Sequence, residues 1–192
     1  MPQASCVAVI REYRIQTMEY AVITAVGADK VGIMDSLAGA VVGLKANIEE
    51  TRASILGGEF AVIMLVSGDD GFSAALGEKL SPVAESLGLS ISTKRTSKPG
   101  QPKGLPYLIE SLSLDTPGIV HAITKVLKDG NVNIEDLESG VRPAPLSGSP
   151  MFEMRIVITI VPGAALTKLK QTLAAIGAEH DLDIEVRPLI AE

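Results

Sequence analysis

Along the chain, stretches with a strand-like pattern of apolar and polar residues alternate with stretches that have a helix-like pattern. The first predicted strand, residues 19–26, contains the run 21–26, which is apolar at both odd and even positions and is typical of a central strand covered on both faces. Residues 32–44 then place Ile33, Leu37 and Val41 at helical spacing. The chain therefore opens with a predicted strand followed by an amphipathic helix.

A predicted hairpin follows. The stretches 47–56 and 59–67 flank Gly57-Gly58, and a glycine pair supplies the positive φ angles that a tight β-turn needs. A helix over residues 74–87 and a strand over residues 89–94 come next. The first half of the chain thus has the predicted order βαββαβ.

A short phrase from the first half recurs in the second half. Asp29-Lys30-Val31-Gly32-Ile33 and Asp115-Thr116-Pro117-Gly118-Ile119 each follow an apolar strand and open a helix-like stretch. Asn47-Ile48-Glu49-Glu50 is matched in the same way by Asn133-Ile134-Glu135-Asp136. Asp29 and Asp115 are 86 positions apart, and so are Asn47 and Asn133. We interpret this constant spacing as a tandem duplication.

The second half repeats the plan of the first half, with a longer hairpin. Its predicted elements are a strand ending at Leu114, a helix over 118–129, strands over 133–141 and 151–161, a helix over 165–180 and a strand over 183–186. The extra residues fall within the proline-rich stretch 142–150, where a surface loop tolerates insertion at little cost.

These patterns predict an α+β fold. Each half reads as a ferredoxin-like βαββαβ domain, an antiparallel sheet with its helices on one face. The predicted organisation is an N-terminal extension (1–18), a first domain (19–96), a linker (97–105) and a second domain (106–190). Domains of this size have thin cores, so we expect them to pair with each other or with another subunit.

The third strand of the first half is apolar on both sides. Phe60, Val62 and Met64 share one parity, while Ala61 and Ile63 share the other. Helices on one face of the sheet would leave half of these side chains in water. We expect the second face or edge to be covered by the other repeat or by another chain, the alternative being a hydrophobic strand that faces solvent.

Composition argues against nucleic acid as a direct partner. The formal net charge is −6 and the pI is about 5.0, so no overall positive field attracts phosphates. A local basic cluster lies at the junction of the repeats, and either a solvated linker or a groove-binding patch would account for it. Its members are Lys94, Arg95, Lys98 and Lys103.

Other bulk features indicate a protein of a reducing compartment. Cys6 is the single cysteine, so an intrachain disulfide is impossible. No apolar run approaches the roughly 20 residues of a membrane helix, and Arg11, Glu12 and Arg14 interrupt the start where a secretory signal would be apolar. We expect a cytoplasmic protein.

The repeated phrase has the chemistry of an anion seat. Gly32 and Gly118 are predicted at helix starts, where backbone N–H groups lack intrahelical partners and the helix dipole is positive. Without a β-carbon, nothing shields these donors from a carboxylate. In the second repeat, Thr116-Pro117 also suits a cap followed by a first helical position. The alternative interpretation is that Asp-x-x-Gly only starts a helix.

The repeated asparagine extends this prediction. Asn47 and Asn133 each begin the strand after the helix, a point that we expect to return close to the first turn. An amide donates to a carboxylate and accepts from an ammonium group, which Asp29 or Asp115 would also bind. Together these groups suit a free α-amino acid. A structural asparagine that caps the helix-to-strand turn is the alternative.

The unit of Asp-x-x-Gly-Ile, a helix and Asn-Ile at fixed spacing resembles the ACT domain, a ferredoxin-like module that commonly senses amino acids at domain interfaces. The whole chain, over about residues 19–188, resembles the tandem-ACT glycine cleavage system transcriptional repressor family. The likeness is sharpest at Asn47–Arg52, Leu56–Leu65 and Lys94–Thr96. The ligand-binding residues that it implies are Asp29, Gly32, Ile33, Asn47, Ile48, Asp115, Gly118, Ile119, Asn133 and Ile134.

The resemblance implies a non-enzymatic regulator that responds to glycine or a similar amino acid and acts through a LysR-type transcription factor, as a homo-oligomer without direct nucleic-acid or membrane binding. Some serine-sensing ACT domains place a histidine where this chain has Gly27 and Ser113, so glycine specificity comes from the family likeness alone. The alternatives are a regulatory subunit of an amino-acid biosynthetic enzyme, such as acetolactate synthase, and a purely structural oligomerisation module.

We find no sequence signal of catalysis, a metal or a cofactor. His121 and His180 lack companions at metal-ligand spacing, and structural or surface roles are expected for both. No nucleophile elbow, phosphate-binding loop or dinucleotide fingerprint is present. Asp69-Asp70-Gly71 lacks the remaining ligands of a calcium loop and is interpreted as a turn before the second helix.

Overall fold

The computed structural model describes residues 18–98, 100, 104–144, 147–161 and 163–189. The predicted N-terminal extension, apart from Met18, and residues 99 and 101–103 of the predicted linker lie outside these described residues. The chain divides into two compact units, Met1–Pro99 (unit 1) and Gly100–Glu192 (unit 2).

Unit 1 is a four-stranded antiparallel sheet with two helices, in the predicted order βαββαβ. Its elements are β1 Glu19–Ala28, α1 Ile33–Val42, β2 Asn47–Leu56, β3 Glu59–Gly68, α2 Phe72–Leu87 and β4 Ser90–Thr96. The strand order β2-β3-β1-β4 puts β1 and β3 in the middle of the sheet. This arrangement confirms the predicted α+β ferredoxin-like fold.

Unit 2 repeats this topology. Its elements are β5 Leu105–Leu114, α3 Ile119–Asp129, β6 Ile134–Pro143, β7 Pro150–Ile160, α4 Ala164–His180 and β8 Asp183–Pro188, in the strand order β6-β7-β5-β8. β6 and β7 extend into the stretch 142–150 that the sequence assigned to a loop, because Arg142 pairs with Met151 and Pro143 with Pro150. The loop that connects the two strands is therefore confined to residues 144–149, and the extra Pro143–Pro150 pair accounts for the rest of the insertion.

Each unit has its own aliphatic core between the sheet and its helices. Every second residue of the central strands is buried there, among them Ile23 and Met64 in unit 1 and Ile109 and Ile156 in unit 2. Burial of one such side chain contributes about 1.5–3 kcal/mol. Packing against the helices thus explains why buried apolar residues recur at every second position of the central strands.

The face of the unit 1 sheet that carries no helices has exposed apolar side chains. Val26 on β1 and Ile63 on β3 are 48% and 50% exposed. β1 is central, as expected, but its apolar residues on this face are not all buried. Whether another repeat or chain covers this face stays a prediction.

Glycines at positive φ set the turns. Gly57 and Gly58 adopt φ angles of 62° and 86°, which confirms the tight hairpin between β2 and β3. Gly71 adopts 87° and α2 begins directly after it, two residues earlier than predicted, because Phe72 enters the core. Asp69-Asp70-Gly71 is therefore a turn, as predicted, since the Asp69 carbonyl accepts from the Phe72 N–H at 3.1 Å.

The buried carboxylate of Glu19 joins the start of β1 to β4 and α2. Glu19 is only 6% exposed, and its carboxylate oxygens lie 2.7 Å from a terminal guanidinium nitrogen of Arg95 on β4 and 2.6 Å from Ser73 Oγ in α2. The hydrogen bond from the Ser73 hydroxyl is the largest cause of the lowered pKa of Glu19. The Ser73 N–H and Arg95 lower it further, by smaller amounts. Leu105 occupies the corresponding position of unit 2.

Replacement of this carboxylate should destabilise unit 1 selectively. We expect Glu19→Gln to lower the melting temperature of the unit 1 transition by roughly 5 °C, because Arg95 loses its counter-ion and a neutral amide with one acceptor oxygen replaces the carboxylate at the first turn of α2. The control Glu59→Gln, at an exposed site on β3, should leave it unchanged. Because folding lowers the pKa of Glu19, its contribution is present above about pH 4.5 and is lost as the pH falls further. Calorimetric scans from pH 3 to pH 7 measure both effects, and equal acid sensitivity of wild type and variant would contradict this role.

Candidate functional site

The repeated turns leave the central strand of each unit in the same way. Gly32 and Gly118 adopt φ angles of 94° and 100°, and α1 and α3 begin at the next residue. The backbone N–H groups of Asp29 and Asp115 donate to the carbonyls of Gly58 and Pro150, at 3.0 Å and 3.2 Å. Each turn is thereby tied to the hairpin of its own unit.

The first backbone donors of α1 and α3 are open to a ligand. Neither helix has a side-chain cap, and a β-carbon built on Gly32 or Gly118 would meet nothing within 4 Å. These donors can therefore bind an anion without displacing a protein group. Ile33 and Ile119 contribute only main chain to such a seat, because their side chains are buried in the cores.

The expected cap at Thr116-Pro117 is wrong. Gly118 takes the N-cap position in a left-handed conformation, and α3 starts at Ile119. Thr116 and Pro117 lie in the turn before the helix. The positive φ at Gly118 decides the helix boundary here, in place of the preference of proline for a first helical position.

The predicted approach of Asn47 to the turn of its own unit is also wrong. Asn47 opposes Ser67 on β3, and Ser67 opposes Tyr20 near the start of β1. The turn begins after Ala28, eight positions further along β1, which corresponds to about 26 Å. Asn47 and Asp29 therefore lie at opposite ends of the sheet.

Asn133 is separated from its turn in the same way. Ile134, the next residue, opposes Ile158 on β7, which opposes Tyr107 near the start of β5. Asp115 follows the other end of β5, about 23 Å away along the strand. In each unit the helix runs back across the sheet. The strand that follows it therefore starts at the same end of the sheet as the first strand. Ligand contact by these residues stays a prediction, but one unit cannot bring the turn and the asparagine together.

Asn47 instead takes part in a network at a β-bulge. The pairing of β2 with β3 shifts between Ile48 and Glu50, so Glu49 is the extra residue, and β6 has the same shift at Glu135. The Asn47 side-chain amide donates to Glu49 Oε1 at 3.2 Å, and the Ser67 hydroxyl donates to the same oxygen. The Ser67 and Asn47 hydrogen bonds lower the pKa of Glu49. Ile48 and Ile134 pack at the margins of the two cores.

The structure also places along one groove two residues that the sequence left separate. A groove of about 660 Å³ lies between α3 and α4 of unit 2, and both histidines, His121 and His180, line it together with Gly118. Its walls include Lys125 and Lys168. Spacing along the chain gave no sign of this shared groove, because the two histidines belong to different helices.

The described residues contain no group of three or more side chains suited to hold a metal ion. Over the same ranges of the chain, no helix is long and apolar enough to span a membrane.

In the basic cluster at the junction of the repeats, Arg95 forms an ion pair with Glu19, and Lys103 lies outside the described residues.

The glycine turns should cost stability when a side chain is added. We expect Gly32→Ala or Gly118→Ala to lower the free energy of unfolding by about 1–2 kcal/mol, because the positive φ strains an L-residue although the space is open. Gly39→Ala is the matched control, since Gly39 lies inside α1 with open space around it and should stabilise by about 0.5–1 kcal/mol. Urea unfolding measures all three, and an unchanged stability of both turn variants would refute the constraint.

The bulge network predicts an order of pKa changes. Ser67→Ala should raise the pKa of Glu49 more than Asn47→Ala does, because the Ser67 hydrogen bond is the larger cause of the lowered value. Ser54→Ala, at an exposed site on β2, the strand that carries Glu49, should leave the pKa of Glu49 unchanged. Carboxyl-selective NMR titration of Glu49 reports these values, and the reverse order would show that the network is not as described.

Comparisons with known proteins agree with this architecture. Residues 19–94 match the ACT domain family. The glycine cleavage system transcriptional repressor of Escherichia coli (strain K12) is 28% identical over 166 residues, which cover 86% of this chain and 87% of that protein.

Two solved structures match nearly the whole chain. A protein of unknown function from Galdieria sulphuraria is 31% identical with a TM-score of 0.75, over 91% of this chain and 100% of that one. A structure provisionally described as a glycine cleavage system transcriptional repressor is 21% identical, and its TM-score of 0.68, over 92% and 100% of the two chains, supports the fold. Residues 19–94 therefore belong to the ACT domain family, unit 2 repeats the same fold, and the chain as a whole is similar to the glycine cleavage system transcriptional repressor of Escherichia coli.

Proposed function

We propose that this regulator represses glycine cleavage functions in response to an amino acid, and that it acts through a LysR-type transcription factor. The observation that carries the proposal is the similarity to the Escherichia coli repressor along 86% of this chain and 87% of that protein. Because the alignment extends through both units, the likeness concerns the whole tandem arrangement and not a single ACT module.

The glycine turns support the ligand step. Open backbone donors beside Gly32 or Gly118 suit a carboxylate, and Asp29 or Asp115 in the same turn suits an ammonium group. A free α-amino acid carries both groups. Asn47 and Asn133 would serve a ligand only from the opposite end of a unit, so they are not part of the seat proposed at either turn.

Charge and surface chemistry support the protein partner. A net charge of −6 opposes direct contact with DNA phosphates. On unit 1, Val26, Leu56 and Ile63 are exposed apolar side chains on the sheet face that carries no helices. Apolar side chains grouped on one face favour a protein partner over a nucleic acid.

Regulation then requires that the amino acid bind two states of the protein unequally. A ligand shifts an equilibrium only by its difference in affinity for the two states, and the coupling is reciprocal. In this proposal, the amino acid changes the affinity of the repressor for its transcription factor, and the transcription factor changes the affinity for the amino acid by the same factor.

The proposal predicts a ligand-dependent complex. Full-length protein titrated with glycine, serine or leucine in a calorimeter should release or absorb heat with at least one of them. The same amino acid should change the affinity for an immobilised LysR-type regulator by about 5-fold or more, the low end of typical allosteric coupling. A matched titration with acetate, which lacks the ammonium group, controls for simple anion binding.

Folded protein that binds none of these amino acids would refute the sensing step. Amino-acid binding without any affinity for a LysR-type regulator would refute the partner step alone. Retention of a large catalytic subunit in a pull-down, in place of a transcription factor, would refute the repressor assignment.

A further inference from the structure

The sheet face that carries no helices differs between the two units. In unit 1, Val22 and Val26 on β1 share this face with Ile63 and Leu65 on β3, because the alternate residues of both strands point into the core. Val26 and Ile63 are about half exposed. Apolar side chains therefore occupy the middle of this face, on the two central strands of the sheet.

The corresponding face of unit 2 is charged at its centre. Glu110 and Arg155 lie opposite each other there, in the places of the uncharged Thr24 and Ile63. The Glu110 carboxylate lies 3.5 Å from Arg155 Nε and 3.0 Å from a terminal nitrogen of Arg187 on β8. Both units have the same topology, so the fold itself does not require apolar side chains on this face. Burial against a protein surface would explain them.

Charges of opposite sign lie at the two edges of the unit 1 face. Lys94 on β4 is opposite Val22, Val22 is opposite Leu65, and Leu65 is opposite Glu50 on β2. Lys94 and Glu50 are both exposed, and Glu50 also lies 3.3 Å from Arg52 on its own strand. This row across the sheet is therefore basic at the β4 edge, apolar in the middle and acidic at the β2 edge.

A second copy of the chain complements this row. When two such faces stack around a two-fold axis that runs parallel to the strands, between β1 and β3, each row meets the same row in reverse. Lys94 of each copy then faces Glu50 of the other, and Val22 meets Leu65. A two-fold axis across the strands would instead bring β2 against β2 and β4 against β4, where like charges repel. The charge pattern thus favours one orientation.

The face is also large enough for a stable contact. Three strands of ten residues and one of seven form the sheet. At the usual strand spacing and rise per residue, the sheet covers roughly 550 Å². Two copies would bury about 1,100 Å², which exceeds the approximately 1,000 Å² expected of a specific interface. Stacked sheets keep their strand directions within about 30° of each other, so the rows near the middle stay aligned.

We propose that this face of unit 1 is the dimer interface of the protein, a two-fold stack of sheet on sheet with a second copy, in which Lys94 and Glu50 pair reciprocally. The inference goes beyond the proposed function and is independent of the amino-acid response, because it identifies the protein that covers the apolar face. The transcription factor would then meet a dimer, on a surface outside this face.

Charge reversal tests the reciprocal pairs on the full chain. Sedimentation equilibrium of wild type should give a dimer at micromolar concentration. Lys94→Glu alone, or Glu50→Lys alone, should weaken the dimer by about 5-fold or more, because either change creates two contacts between like charges in each dimer. The double variant, Lys94→Glu with Glu50→Lys, should restore the dimer affinity, since both contacts are attractive again with their signs exchanged.

A second pair of variants tests the apolar centre. Ile63→Glu should weaken the dimer by about 10-fold or more, because it buries unpaired carboxylates between the sheets. The half-exposed Ile63 is not part of the unit 1 core, so the fold should tolerate this change, which circular dichroism checks. Leu114→Glu is the matched control, at an exposed leucine on the corresponding face of unit 2, and should change the dimer affinity by less than about 2-fold.

The opposite results would overturn the inference. Wild type that is monomeric at micromolar concentration, or a dimer that Ile63→Glu leaves intact, would show that this face does not bind a second copy. Equal weakening by Leu114→Glu would refute the assignment to unit 1. Single charge reversals without effect, or without rescue in the double variant, would refute the proposed orientation. Each of these outcomes leaves the proposed amino-acid response in place.

Discussion

Each unit depends on one backbone constraint, the reversal of the chain from its central strand into its first helix through a glycine at positive φ. An L-residue with a β-carbon pays about 1–2 kcal/mol for this conformation. The hydrogen bonds from Asp29 to Gly58 and from Asp115 to Pro150 then hold the turn against the hairpin. The same geometry leaves the first helical N–H groups without a side-chain cap. The requirement of the fold and the capacity to hold an anion thus arise from the same atoms.

Periodicity was sufficient for the order of elements. Apolar spacing of 2 in the strands and 3.6 in the helices, with Gly57-Gly58 between two strands, gave βαββαβ in both halves and a hairpin that the structure confirms. Boundaries moved where a local feature outweighed propensity. Phe72 begins α2 because it enters the core, and Gly118, instead of Thr116, ends the turn before α3.

The candidate site was less predictable, because it depends on which end of the sheet each residue reaches. Linear spacing revealed that Asp29 and Asn47 belong to one repeated motif. It did not reveal that α1 returns the chain to the end of the sheet where β1 starts, so that the motif spans the unit instead of surrounding one point. The groove that His121 and His180 both line was hidden for a related reason, since it depends on the packing of α3 against α4. The limits of the two domains and the ligand contacts themselves stay predictions.

The duplicated bulge has a consequence for how the chain avoids uncontrolled association. β2 and β6 are outer strands of ten residues each, and outer strands of that length are templates for open-ended pairing between molecules. The extra residue at Glu49 or Glu135 breaks the regular ladder near the start of the strand and places an acidic side chain there. Any neighbouring strand can align without interruption only beyond that point, which limits both the length and the register of such contacts. The acidic step that marks the repeat in the sequence therefore also limits regular strand pairing along one edge of each sheet, the edge formed by β2 or β6.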